Sequence, residues 1–102
     1  MKKMNINKRK AFGGLLKDCR IKGGFTVRKV AEIIEAPFGV LASIERGEEV
    51  KLKMRYIESL CALYNLNLDQ ICIQLERVPT EIFYKIIDSP KLLEIIRNYE
   101  VK

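Results

Sequence analysis

Four segments of this sequence repeat one spacing of apolar residues, and that spacing is helical. Phe12, Leu15, Leu16 and Cys19 stand at i, i+3, i+4 and i+7. So do Val27, Val30, Ala31 and Ile34, then Ile57, Leu60, Cys61 and Tyr64, then Leu68, Ile71, Cys72 and Leu75. Side chains so placed share one helix face, because an α-helix turns once in about 3.6 residues. No stretch alternates apolar and polar residues as a half-buried strand does. The reading is an all-α chain.

Punctuation between the segments sets the boundaries. Gly23 and Gly24 end the first helix, and Thr26 caps the second with its hydroxyl. Pro37 opens a third helix, which runs to about Arg46 with Leu41 and Ile44 inward. Residues 48–53 form a charged loop before a fourth helix that stops at Asn65, and Asn67 caps a fifth. Pro79–Thr80 opens a sixth helix with Ile82, Phe83, Ile86 and Ile87. Ser89–Pro90 opens a seventh with Leu92, Leu93, Ile95, Ile96 and Tyr99. The organisation expected is a flexible basic arm over 1–8, a five-helix domain over 9–77 and a helical hairpin over 78–102.

Several chemistries drop out at once. None of the 102 residues is His, which removes imidazole bases, His-paired nucleophiles and His-ligated zinc. Cys19, Cys61 and Cys72 form no CxxC pair, and an odd number cannot complete a disulfide framework in one chain. They read as reduced, buried thiols in a cytoplasmic protein. No apolar run nears the ~18–20 residues that cross a bilayer. No acid–base pair, glycine-rich phosphate loop or metal cluster is evident. The expectation is a non-enzyme without cofactor or metal.

Charge is distributed unevenly. Residues 1–30 carry ten basic side chains and one acid, while the other 72 residues carry nine basic and twelve acidic, so a segment of +9 precedes one of −3. Lys2, Lys3, Lys8, Arg9 and Lys10 make the arm. A polyanionic partner touched by the first third of the chain is one reading, and a solvated basic tail is the other.

An ordered set of short motifs adds to this. Leu16 with Cys19–Arg20, then Thr26-Val27-Arg28-Lys29-Val30-Ala31, then Ile44-Glu45-Arg46-Gly47, then Leu66-Asn67-Leu68-Asp69-Gln70-Ile71 follow one another over residues 12–71. Together they resemble the helix-turn-helix domain of the Xre family, the phage lambda-type repressors and Cro proteins. The resemblance implies a five-helix, lambda-repressor-like fold whose third helix enters the major groove of double-stranded DNA. It implies phosphate contacts at Thr26, Val27, Arg28 and Lys29, with Lys51 and Lys53 as further candidates, and base contacts at Phe38, Gly39, Ala42 and Ser43. It also implies a structural ion pair between Arg20 and Glu45.

This chain departs from that pattern on the reading face. From Pro37 to Ile44 it offers one hydroxyl and no charge, and Val27 replaces a frequent Gln. Glu48 and Glu49 stand where phosphates would lie and are expected to oppose them. Two functions follow. One is a DNA-binding transcriptional regulator of bacterial or phage type, acting as a homodimer through Ile82, Phe83, Ile86, Leu92, Leu93, Ile96 and Tyr99. The other is a helix-turn-helix domain repurposed to bind a protein partner, as an antitoxin, antirepressor or accessory subunit, with Phe38, Val40 and Ala42 as its apolar patch. Completion of the monomer core by the tail helices competes with the dimer reading.

Overall fold

The computed structural model describes residues 5–100, and among these there are helices and no strand. They are α1 (Ile6–Lys22), α2 (Val27–Ile33), α3 (Phe38–Glu45), α4 (Met54–Tyr64), α5 (Leu68–Gln74), α6 (Thr80–Asp88) and α7 (Pro90–Asn98). Local chemistry accounts for most of the ends. The Thr26 hydroxyl accepts from the Lys29 amide and the Asn67 side chain from the Gln70 amide, each satisfying a donor the helix leaves open. Ser89 does the same for Leu92, and Pro90 follows it in the first turn of α7.

The first helix begins earlier than the apolar spacing shows. Residues 1–8 were expected as a flexible arm, yet α1 starts at Ile6, with the Asn5 side chain accepting from the Asn7 amide. Lys8, Arg9 and Lys10 therefore stand on a helix. Their turn is tied to the body: Lys8 Nζ lies 2.9 Å from Glu76 Oε1, and Arg9 Nε donates to the Gly47 carbonyl at 3.2 Å. Lys2 and Lys3 lie outside the described residues.

Residues between Phe12 and Leu75 build the core. Leu16, Leu41, Ile57 and Leu60 are fully buried at its centre, with Val30, Ala31, Ile34 and Ile44 beside them. Two glycines allow the closest approaches. A Cβ on Gly13 would stand 2.6 Å from the Glu45 carbonyl oxygen, so α1 crosses α3 in backbone contact. Gly47 has φ +72°, and a Cβ there would meet Lys10 at 2.7 Å.

The hairpin adds nothing to that core. Neither α6 nor α7 contains a buried residue, although Pro79 at their root is buried. The two helices pack on each other and extend the molecule to 45 × 25 × 22 Å. The radius of gyration is 15.4 Å, against about 13 Å for a compact chain of this length. In this arrangement neither α6 nor α7 contributes a buried residue to the core.

Candidate nucleic-acid interface

α2 and α3 form the helix-turn-helix pair, and their packing explains its shape. Ala31 on α2 is buried in the core together with Val30, Ile34 and Leu41, and its small side chain suits a close pairing of the two helices. The chain turns through Glu35 at φ 55°, and the Ala36 amide donates back to the Ala31 carbonyl at 2.9 Å. Arg55, from α4, fastens the turn. Its Nη1 donates to the Ile34 carbonyl at 2.9 Å and its Nη2 to the Glu35 carbonyl at 3.1 Å.

A second brace holds the far end of α3. Arg20 Nε donates to the Glu45 carboxylate at 2.8 Å, while Nη1 donates to the Phe25 carbonyl at 3.0 Å. The bond to Glu45 raises the Arg20 pKa further and keeps the guanidinium charged. The Tyr64 hydroxyl is buried beside this pair and has no hydrogen-bond partner among the described residues; burial pushes it up to about 12.

These braces sort the cations. Lys8 and Arg9 are engaged with Glu76 and Gly47, Arg20 with Glu45, Arg55 with the turn, and Arg77 with the Leu52 carbonyl at 2.7 Å. Arg28, Lys51 and Lys53 have neither a hydrogen bond nor an ion pair among the described residues. The Arg28 guanidinium lies 4.7 Å over the Phe38 ring, and Lys53 Nζ lies 5.8 Å from that of Tyr56. These cations flank α3, one at its start and two in the loop beyond its end. Lys29 makes only a loose 4.0 Å contact with Glu32.

On the outer side of α3, Phe38 and Gly39 are exposed while Ala42 and Ser43 are half-buried. Val27 is also half-buried, packed against the core. The Ser43 hydroxyl accepts from Arg46 Nη2 at 3.4 Å. Arg46 also donates to both oxygens of Glu48, at 3.0 and 2.9 Å. Glu48 was expected to lie near phosphates and oppose them. It is instead matched by Arg46, whose hydrogen bond lowers the carboxylate pKa below the usual value.

Arg46, Arg55 and Arg77 were not among the residues singled out from the sequence for these braces. The only local signal was their charge. Arg55 and Arg77 bond carbonyls 20 or more residues away, and no spacing announces that. No group of three His, Cys, Asp or Glu among the described residues is placed to hold a metal. Among the described residues no helix is long and apolar enough to cross a membrane.

Neither a protein-family model nor a curated protein sequence matches the chain. Solved structures do, and they place it among helix-turn-helix folds. The structure is similar to that of the clp gene regulator ClgR from Corynebacterium glutamicum, with a TM-score of 0.56 and 26% identity, covering 68% of this chain and 72% of that one. A second ClgR structure gives a TM-score of 0.53 at 26% identity, covering 68% of this chain and 88% of that one. SinR in its complex with SinI gives 0.54 at 20% identity, covering 86% of this chain and 92% of that one, a likeness of fold.

Proposed function

We propose that the protein is a DNA-binding transcriptional regulator of the Xre helix-turn-helix type. In this reading it binds double-stranded DNA as a homodimer. One observation carries the proposal: a braced α2–α3 pair presents α3 between cations that make no hydrogen bond or ion pair among the described residues, in a fold shared with a gene regulator. Lys51 and Lys53 are the phosphate-side cations, with Lys29 beside them, and Arg28 is the DNA-facing cation at the head of α3. Phe38, Gly39, Ala42 and Ser43 face the bases. The protein is then a cytoplasmic non-enzyme of bacterial or phage type, without cofactor.

The hairpin supplies the dimer contact. Phe83 is 51% exposed, Ile96 47% and Tyr99 74%, and Ile82 and Leu93 are exposed beside them, while Ile86 and Leu92 are half-buried. Full burial of one such side chain is worth about 1.5–3 kcal/mol. Several together offset an association cost of roughly 4–15 kcal/mol.

The test is a gel shift on random duplex at two salt concentrations. Binding with a steep salt slope supports the proposal, since phosphate neutralisation releases counterions. The second reading, a domain that binds a protein through Phe38, Val40 and Ala42, is favoured by the uncharged face of α3. Absence of binding at low salt, with a protein partner retained by the full chain, would decide for it.

A further inference from the structure

From Phe38 to Ile44, α3 carries no charge and no amide side chain, and its one hydroxyl already accepts from Arg46. One hydroxyl supplies a single O–H, so a paired donor for a base edge has to come from elsewhere. Arg28 stands at the head of α3, its guanidinium carbon 4.7 Å from the centroid of Phe38, a ring that is 45% exposed. Arg9, Arg20, Arg46, Arg55 and Arg77 all donate to oxygens of the protein, whereas Arg28 donates to none among the described residues. A guanidinium lying on an aromatic face is held through its π surface, and its N–H donors point outward in its own plane. The ring contact thus restricts the long side chain, and no protein oxygen among the described residues takes its donors.

The geometry points to Arg28 and Phe38 as a composite reader of a guanine next to a thymine, an inference that rests on the DNA-binding function proposed above. The Arg28 fork matches O6 and N7 of guanine in the major groove, and the exposed Phe38 ring suits the C5 methyl of thymine. Phe38 is at once a methyl contact and the positioning residue for Arg28.

The test selects bound sequences from a random duplex library with the full chain, then measures affinity for the selected duplex and for random duplex. A guanine beside a thymine should be enriched. Changing that guanine should cost roughly 5- to 150-fold, the range of one bidentate pair. Arg28→Lys, which keeps the charge but loses the planar fork, should weaken the guanine preference while leaving random-duplex affinity and its salt slope nearly intact. Thymine to deoxyuracil should cost about fourfold, the worth of one buried methyl. Phe38→Ala should remove that methyl effect and weaken the guanine preference, and Phe38→Tyr should keep both. If Arg28→Ala weakens every duplex equally and lowers the salt slope by about one, Arg28 is a phosphate contact and the inference fails. A wild-type chain that binds duplex with no guanine–thymine preference also overturns it, while leaving the DNA-binding function standing. No binding to any duplex at low salt overturns both.

Discussion

Arg20 and Glu45, 25 residues apart, meet at 2.8 Å and join α1 to the last turn of α3. Their side chains are 14% and 6% exposed. A pair this enclosed is costly to break from one side, because the surviving charge loses both its partner and its water. Glu45→Ala should lower stability by about 3–5 kcal/mol, read as a shift of the urea midpoint. Arg20→Met with Glu45→Leu should cost less than the sum of the single changes. Additive costs would mean that the pair is not coupled.

Arg55 makes a narrower prediction. Its two bonds end on carbonyls of the turn between α2 and α3, so its loss should loosen that turn and leave the core packed. Arg55→Ala should cost about 1.5–3 kcal/mol, the scale of hydrogen bonds from a charged donor. Amide exchange at Ala36 should rise more than at Leu60. Equal acceleration throughout would make Arg55 a general stabiliser instead.

The hairpin can be altered without touching the core, since no residue of α6 or α7 is buried. Sedimentation at micromolar concentration should show a dimer. Phe83→Asp and Ile96→Asp should each give a folded monomer with little change in thermal stability measured at low concentration. A wild-type chain that sediments as a monomer at high concentration would refute the dimer.

Alkaline pH should unfold the protein through its thiols. Burial pushes the Cys61 thiol up to about 11 and raises that of Cys72 as well. A thiol whose folded pKa is raised favours the folded state fully below its unfolded value, about 8.5. That contribution falls away as pH climbs toward the folded value. The melting temperature should therefore drop between about pH 8.5 and 11, and Cys61→Ala should flatten the drop. An identical pH profile in Cys61→Ala would assign the loss to other groups, Tyr64 first.

The helices themselves were legible in the sequence because each signal is local. A face at i, i+3, i+4 and i+7, a Thr or Asn cap and a proline in the first turn act within a few residues, so α2 to α7 begin and end close to where they were read. The start of α1 was not legible. Ile6 is 51% exposed and no apolar face precedes Phe12; the first turns are held by Glu76 and Gly47, 68 and 38 residues away. Charge was misleading for the same reason. A sequence counts cations, whereas the fold decides which meet a carboxylate or a carbonyl, as Arg9, Arg46 and Arg55 do, and which stay open, as Arg28 does over Phe38. Short-range periodicity and capping thus determined the all-α architecture. Only tertiary packing, which brings distant oxygens within about 3 Å of a donor, decided which side chains remain for a partner.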